Sequence, residues 1–412
     1  MKKNGTIHTW SALTGFELRK SFLNPWMLAL LVFLLALNAW KLWDSYQAKV
    51  YRWAEYEDVY ETFYDRYAGT ITVENIQDLM AIYSPLQAKR EDLSISYQYD
   101  PDAYTYSEGM DESFFYSLFY LEMRYDYLYR NEAIDTVDRA NRLIELYSGH
   151  GNTFEVEKNR IIAAAFQGRS IPYFGDTRHY EVLLNHDYSA MLVLLLCLLG
   201  LSGVFVTEKE TEMRMLLRTT RRGGAATVAA KLTASLMVIV VVCALFFVED
   251  FWVLQLLAGR YEAIGNPVYA LRFFEITPLN MTIGQYFLWA AAMKTLGVLC
   301  CGCAILLISC LVRRSLAAFL ISFAALMAGV LLQEFGGGIT ALRWCNPLEL
   351  VIVRETVYEN AFVNLLGHAV QLHEFIIGGV CLTTAVLCAG ILYCNRGRGR
   401  TLLGRRAAHA PL

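Results

Sequence analysis

The chain has 412 residues, of which 56% are hydrophobic and 18% are charged, and its formal net charge is −3. This composition is too apolar for a typical soluble protein and too charged for a chain made only of membrane spans. The charge is segregated, because residues 44–187 contain 13 Lys and Arg against 26 Asp and Glu, a balance of 13 − 26 = −13.

An amphipathic helix is predicted before the first long apolar stretch. Between Ile7 and Phe22, the side chains of Trp10 and Leu18 share a face with Ile7 at 100° per residue, which is typical of a helix in the headgroup region. Asn24 and Pro25 end this helix, and proline is well tolerated in the first turn of the next one.

Six apolar stretches are long enough to cross a membrane. A hydrocarbon core about 30 Å thick requires roughly 20 helical residues, and each stretch reaches the accepted range of about 17–25. The predicted spans are Trp26–Trp43, Tyr188–Val206, Leu232–Val248, Tyr286–Val312, Leu316–Leu332 and Phe375–Cys394.

The distribution of arginine and lysine predicts the orientation of these spans. Basic residues concentrate on the side of the termini, where the cytoplasmic loops of membrane proteins carry excess positive charge. We therefore expect both termini in the cytoplasm and residues 44–187 outside. The basic residues on the terminal side are Lys2, Lys3, Arg19, Lys20, Arg214, Arg218, Arg221, Arg222, Arg313, Arg314, Arg396, Arg398, Arg400, Arg405 and Arg406.

The acidic segment 44–187 is predicted to be a helical domain. An aromatic residue recurs every seven positions, which predicts a seam along a helix that continues the first span. A second helix is expected to end near Pro85, followed by a loop over 94–107. A long helix then ends at about Gly149, and one more covers 154–166. The seam residues are Tyr46, Trp53, Tyr60 and Tyr67.

Tyrosine is concentrated in the same segment, which contains 19 of the chain's 25 tyrosines. One interpretation is an aromatic surface that binds a lipid or a peptide. The other is a packed core that uses tyrosine where leucine would otherwise stand, and the helical spacing favours it.

Motifs for catalysis are absent from the sequence. It contains no G-x-x-x-x-G-K-[ST], no H-E-x-x-H and no G-x-S-x-G. We therefore expect no enzyme activity, no metal site and no cofactor in this chain. The ten cysteines lie mostly in apolar stretches and predict no disulfide framework. Lys294 is the deepest charge within a predicted span, and we expect its long side chain to extend outward to the membrane interface.

The connector between the second and third spans has the most specific pattern. Its acids fall near the start of a predicted helix, where carboxylates favour the helix dipole, and an apolar stripe follows. Such a helix suits docking into a partner's groove, whereas a plain basic connector is the other interpretation. The acids, the stripe and the arginines are Glu208, Glu210, Glu212, Met213, Leu216, Leu217, Arg218 and Arg221.

The order of these motifs resembles that of type-2 ATP-binding-cassette (ABC) transporter permeases. In that family, the segment matching Glu208–Arg222 contacts a separate ATP-binding subunit. The resemblance thus implies that the connector residues, together with Glu17, bind an ATPase partner. The domain at 44–187 departs from the pattern, because many members lack or replace it. The matching features are Phe16–Lys20, the Leu216-Leu217 pair, Thr219-Thr220, the Gly223-Gly224 turn, Lys231, Arg313-Arg314 and Asn346-Pro347.

We therefore predict an all-α membrane protein with six transmembrane helices, both termini in the cytoplasm, and a helical extracytoplasmic domain between the first two spans. Residues 1–43 form the amphipathic helix and first span, 44–187 the outer domain, and 188–412 the remaining spans and a basic tail. The resemblance implies a permease subunit in a bacterial cell membrane that exports a lipid, peptide or drug-like substrate. It also implies that ATP binds the partner, and that a second permease chain completes the unit as a homodimer or a heterodimer.

A second hypothesis is a mechanotransmission or sensing protein that an ABC ATPase drives without passage of a substrate. Proteins of that kind often have four spans, so six spans argue against it. A membrane enzyme is a third hypothesis, and it would need intramembrane acid pairs, Ser/His groups or metal ligands that the sequence does not show.

Overall fold

The computed structural model describes residues 3–99, 106–213, 224–335, 343–358 and 360–396. Helices dominate this part of the chain, and six of them are long and apolar enough to cross a membrane, as the apolar stretches predict. The six candidate spans are Pro25–Val50 (α2), Arg178–Leu201 (α8, Arg178–Leu184, and α9, Tyr188–Leu201), Ala225–Ala258 (α11), Ile283–Leu311 (α12), Ser315–Phe335 (α13) and Leu372–Asn395 (within α16, Leu372–Arg396).

The first two helices confirm the predicted break at Asn24 and Pro25. Helix α1, Lys3–Ser21, ends before Asn24, and α2 begins at Pro25. The Asn24 side chain accepts a hydrogen bond from the backbone N–H of Met27 at 2.9 Å, as an N-cap does. The second span ends earlier than predicted, because Ser202–Val206 form a largely buried turn instead of a last helical turn.

The second, third and fourth spans form the centre of the bundle and are more deeply buried than the first, fifth and sixth, which lie at its edge. Helix α12 also packs against the segment that follows α13. A Cβ atom at Gly297 would lie only 2.7 Å from the carbonyl oxygen of Pro347, so glycine is required for this approach. That segment contains two short helices, Leu348–Val351 (α14) and Arg354–Tyr358 (α15).

Residues between α2 and α8 form a separate packed unit at the end of the spans opposite to α1, which we call the outer domain. A 3₁₀ turn, Tyr51–Tyr56, leads from α2 into it. Its helices are Glu57–Tyr67 (α3), Val73–Tyr99 (α4), Tyr106–Phe115 (α5), Leu121–Gly149 (α6) and Thr153–Phe166 (α7), and a short antiparallel sheet pairs Gly69–Thr70 (β1) with Tyr173–Phe174 (β2).

Aromatic side chains fill the core of the outer domain. Trp53 is only 5% exposed, and its ring lies 5.6 Å from that of Phe114 between centroids, in an edge-on contact. Tyr60 and Tyr67 are also buried, and the Tyr60 ring centroid lies 5.3 Å from that of Phe119. Buried edge-on and offset aromatic pairs add stability beyond their apolar area. The seam residues within the outer domain are therefore core, while Tyr46 packs partly buried against the spans.

Three local predictions for this domain are wrong. The seam does not continue the first span as one α-helix, because the 3₁₀ turn interrupts it. Pro85 lies inside α4, which continues to Tyr99 and so occupies the first part of the predicted loop. The helix is maintained across the proline because Tyr83 is buried in the aromatic core and Leu86 packs against it, and such tertiary packing outweighs a local preference.

A β-hairpin before the last span was also not predicted. Strands Phe362–Leu365 (β3) and His368–Gln371 (β4) pair antiparallel, with Val363 opposite Val370. Glu157 of α7 accepts a hydrogen bond from the backbone N–H of Ala369 at 3.0 Å. The hairpin is thereby attached to the outer domain.

The loop between α11 and α12 also contacts the outer domain, through residues other than those that bind the β3–β4 hairpin. Arg169, which is 4% exposed, donates to the Thr277 carbonyl at 2.9 Å and to the Asn280 side chain at 2.7 Å. Tyr64 donates to Glu262 at 2.8 Å. The domain therefore contacts both the loop between the third and fourth spans and the hairpin before the sixth.

Candidate functional site

The connector between α9 and α11 lies at the α1 end of the spans. After the turn that follows α9, a single helical turn, Thr207–Glu210 (α10), runs along the bundle. The predicted helix beginning at Glu208 is interrupted, because Glu212 has a left-handed backbone with φ of 56°. Aspartate, asparagine and glycine adopt this region more readily than glutamate, so the bend is specified by its contacts.

Glu208 is the centre of a charge cluster in which Glu17, Glu208 and Lys231 are buried and Lys20 is exposed. Its carboxylate lies 2.5 Å from the Lys231 ammonium and 3.1 Å from the Lys20 ammonium, while Glu17 lies 4.0 Å from Lys231. Lys231 is 2% exposed and also donates to the Val204 carbonyl at 3.1 Å. We call Glu17, Lys20, Glu208 and Lys231 the connector cluster, and it joins α1, the connector and the third span.

The two carboxylates of the connector cluster respond differently to their surroundings. Burial raises the pKa of Glu17 above its ordinary value, and the nearby lysines only partly offset this effect. Burial acts on Glu208 in the same direction, but the close ion pairs with Lys231 and Lys20 outweigh it and lower its pKa. Glu208 is therefore the ionised partner of Lys231, as its shorter distance also indicates.

The next two connector residues contact the ends of the fourth and fifth spans. The Lys209 ammonium donates to the carbonyls of Ser309, Cys310 and Val312 at 2.9, 2.6 and 2.8 Å, where α12 leaves its last carbonyls without helical partners. Glu210 accepts a hydrogen bond from the backbone N–H of Ser315 at 2.7 Å, at the start of α13. A cation at one helix C-terminus and an anion at the next N-terminus thus anchor the connector to the turn between these spans.

The structure divides the predicted connector residues into two groups. Glu17 and Glu208 point into the bundle and lie together in the connector cluster, and Glu210 is bound to Ser315. Glu212 and Met213 lie on the exposed side, and Met213 is 49% exposed. The remaining predicted residues, Leu216, Leu217, Arg218 and Arg221, lie outside the described residues.

The predicted site did not include Lys20, Lys209, Lys231 or Ser315, although Lys20 and Lys231 belong to the features that resemble the family. The signal for Lys231 was present, since it is a single cation near the start of a 34-residue apolar helix. Such a charge requires a partner when it is buried. Its partner Glu208 lies 23 residues earlier in the sequence, and nothing in the spacing of one sequence identifies that contact.

A second charged network lies at the opposite end of the spans. Lys294 of α12 is buried and pairs with Asp187 at 2.9 Å, and Arg354 of α15 pairs with the other Asp187 oxygen at 3.2 Å. The expected outward extension of Lys294 is therefore wrong, because its ammonium is satisfied inside the protein by Asp187 and by the His186 carbonyl at 3.1 Å.

Asn38 continues this network into the first and third spans. It donates to Asp250 of α11 at 2.6 Å, and its carbonyl oxygen lies 3.0 Å from the His186 ring nitrogen. We call Asn38, His186, Asp187, Asp250, Lys294 and Arg354 the outer network. It ties four spans together on the side of the outer domain. Within the described parts of the chain, no group of three His, Cys, Asp or Glu residues could hold a metal ion.

Comparison with known proteins assigns the chain to a family. A family model for ABC-2 family transporter proteins matches residues 45–348, which is most of the chain. A search of curated proteins found no match. The chain therefore belongs to the ABC-2 transporter family, whose members are the membrane components of ABC transporters and associate with an ABC ATPase subunit.

Proposed function

We propose that this member of the ABC-2 transporter family is the permease subunit of an exporter that is driven by a separate ATP-binding polypeptide. The observation that supports this proposal best is the connector cluster. A single buried carboxylate, Glu208, links the connector to α1 through Lys20 and to the third span through Lys231. ATP binding and hydrolysis belong to the partner, and this chain supplies the path through the membrane.

The contacts of the connector define how movement of the partner is transmitted. The exposed side, with Glu212 and Met213, is available to the partner, and the apolar stripe of Leu216 and Leu217 follows in sequence. Displacement of the connector acts on the third span through the Glu208–Lys231 pair and on α13 through Glu210. Buried ion pairs resist separation, so the ends of several spans move together.

The orientation follows from the basic residues on the α1 side. We place α1 and the connector in the cytoplasm and the outer domain outside a bacterial cell membrane. The substrate is a lipid, peptide or drug-like molecule, and two permease chains form the transport unit. Export is favoured, because the described residues of the outer domain show no feature that is specific to the docking of a soluble binding protein.

The docking role is tested by replacing the apolar stripe. The full chain is purified in mild detergent from its native membranes, and an associated ATP-hydrolysing subunit is identified by mass spectrometry. The L216D/L217D variant is expected to lose this subunit, because each leucine contributes roughly 1.5–3 kcal/mol when buried in a docking groove and a buried carboxylate adds a desolvation cost.

The chain offers a matched control. Leu365 and Leu366 form a second leucine pair in the β3–β4 hairpin at the opposite end of the molecule, and Leu366 is 97% exposed. L365D/L366D introduces the same charges and is expected to retain the ATPase. Wild-type protein without an ATPase partner, or an L216D/L217D variant that keeps it, contradicts the proposal.

A further inference from the structure

A deep apolar groove lies between the third and fourth spans. It has a volume of about 730 Å³, and its walls are formed by α11 and α12 near the outer domain. Volumes of 300–1,000 Å³ with apolar walls and a few polar groups are typical of ligand sites. We call this feature the span groove. It shares no residue with the connector cluster or the outer network.

The length of the span groove matches one leaflet of a bilayer. On α11 its lining runs from Val240 to Trp252, a distance of roughly 18 Å at 1.5 Å per residue. Half of a hydrocarbon core about 30 Å thick is roughly 15 Å. The groove therefore extends from the domain side of the spans to about the middle of the membrane.

The polar groups of the span groove that can bind a ligand lie at one end, because Thr295 at the deep end donates its hydroxyl to the Ala291 carbonyl of its own helix at 2.7 Å. Thr282 and Gln285, which form the capping box at the start of α12, lie at the end next to the outer domain. Gln285 uses its side-chain oxygen in this cap, so its NH₂ group remains able to donate. The deeper walls are apolar, with Ala244, Phe247 and Ala292 among their residues. An amphiphile whose head group lies at the membrane surface has the same distribution of polar and apolar groups along its length.

The mouth of the span groove opens towards the surrounding lipid. Trp252 is 55% exposed and Leu288 is 69% exposed at its rim, and both belong to candidate spans. Cavities lined by apolar side chains do not hold water well, so hydrocarbon is the medium that can fill this one. Tryptophan at the rim also suits the membrane interface.

The length, the polarity and the access of the span groove together favour a lipid as its occupant. We propose that the span groove binds one acyl chain of a membrane lipid, with its head group beside Thr282 and Gln285. This binding does not depend on the direction or substrate of transport.

The proposal is tested with a phosphatidylcholine analogue that carries a photoactivatable diazirine in one acyl chain. The purified full-length protein is reconstituted into phosphatidylethanolamine–phosphatidylglycerol vesicles containing this probe, irradiated, and mapped by mass spectrometry. We expect peptides from both α11 and α12 around Ala244 and Ala292 to be labelled severalfold more than the exposed face of α13. Excess unlabelled lipid should reduce this excess labelling.

Variants that fill the groove separate specific binding from general contact with lipid. A292W and A244W each place an indole in the groove and should reduce labelling of the facing helix severalfold. A325W, on the exposed face of α13, is the matched control and should leave the labelling of α11 and α12 unchanged. Labelling that is equal on all lipid-facing helices overturns the proposal. So does labelling unaffected by both groove variants, or a cross-link to a second copy of the chain from a photoreactive amino acid placed at Ala244 or Ala292. The wild-type labelling map decides the question even if one variant fails to fold.

Discussion

Glu17 and Glu208 approach the same lysine but are expected to differ in importance. Removing the charge of Glu208 in E208Q leaves Lys231 buried with Glu17 at 4.0 Å as its nearest carboxylate. Loss of one partner of a buried pair costs about 3–5 kcal/mol. E17Q should cost clearly less, because burial already disfavours the ionised form of Glu17. Thermal unfolding of the purified full chain compares the two variants, and a larger loss in E17Q would contradict this assignment.

The pH dependence gives the same prediction an independent readout. The pKa of folded Glu208 is lowered from its ordinary value of 4.5, so its stabilising effect is present above that value and disappears as the pH falls through the folded pKa. The difference in melting temperature between wild type and E208Q should therefore be largest near neutral pH and narrow below pH 4.5. The pKa of Glu17 is raised, so its ionisation lowers the stability of the wild type as the pH increases. The melting temperature of E17Q relative to that of wild type should therefore be higher at neutral pH than in acid.

At the scale of elements, the outer domain depends on its aromatic core. Trp53 is buried against Phe114, so W53A should destabilise the domain by about 3–5 kcal/mol. Tyr127 on α6 is 39% exposed, and Y127A serves as the control with a small expected effect. Limited proteolysis of the full-length protein follows the domain directly. Equal resistance of W53A and wild type would instead favour an aromatic binding surface.

The sequence predicts some elements well and others poorly, for physical reasons that differ between them. The six spans follow from apolar length alone, because a membrane requires a continuous helix of a certain length. The β3–β4 hairpin gives no such signal. Its turn places Leu366 at φ of 55° and Gly367 at 94°, and leucine is not a residue that predicts a left-handed turn. Its position depends on Glu157, more than 200 residues earlier in the chain.

The candidate site was predicted only in part for a related reason. The acids of the connector are visible in the sequence, but the helix dipole alone did not indicate that Glu208 faces inward and Glu212 outward. That division depends on Lys231 and Lys20, which come from two other helices. Likewise, Lys294 can be buried because its ammonium pairs with Asp187, a distant residue in the sequence that also pairs with Arg354.

At the scale of the whole molecule, the orientation can be tested with two exposed positions at opposite ends. In a background without native cysteines, L366C on the hairpin should react with a membrane-impermeant maleimide in intact cells. E212C on the connector should react only after the cells are permeabilised, because the basic residues place that end in the cytoplasm. The reverse pattern would invert the proposed topology and place the connector beyond the reach of a cytoplasmic ATPase.

The attachment of the outer domain at two points has a mechanical consequence. One side is held through Arg169 by the loop between the third and fourth spans, and the other through Glu157 by the hairpin that precedes the sixth. The outer domain therefore connects these two parts of the bundle, and we expect a tilt of the third and fourth spans relative to the sixth to rotate the domain or to release one attachment. If a partner moves the connector as we propose, that movement at one surface should displace the outer domain at the other.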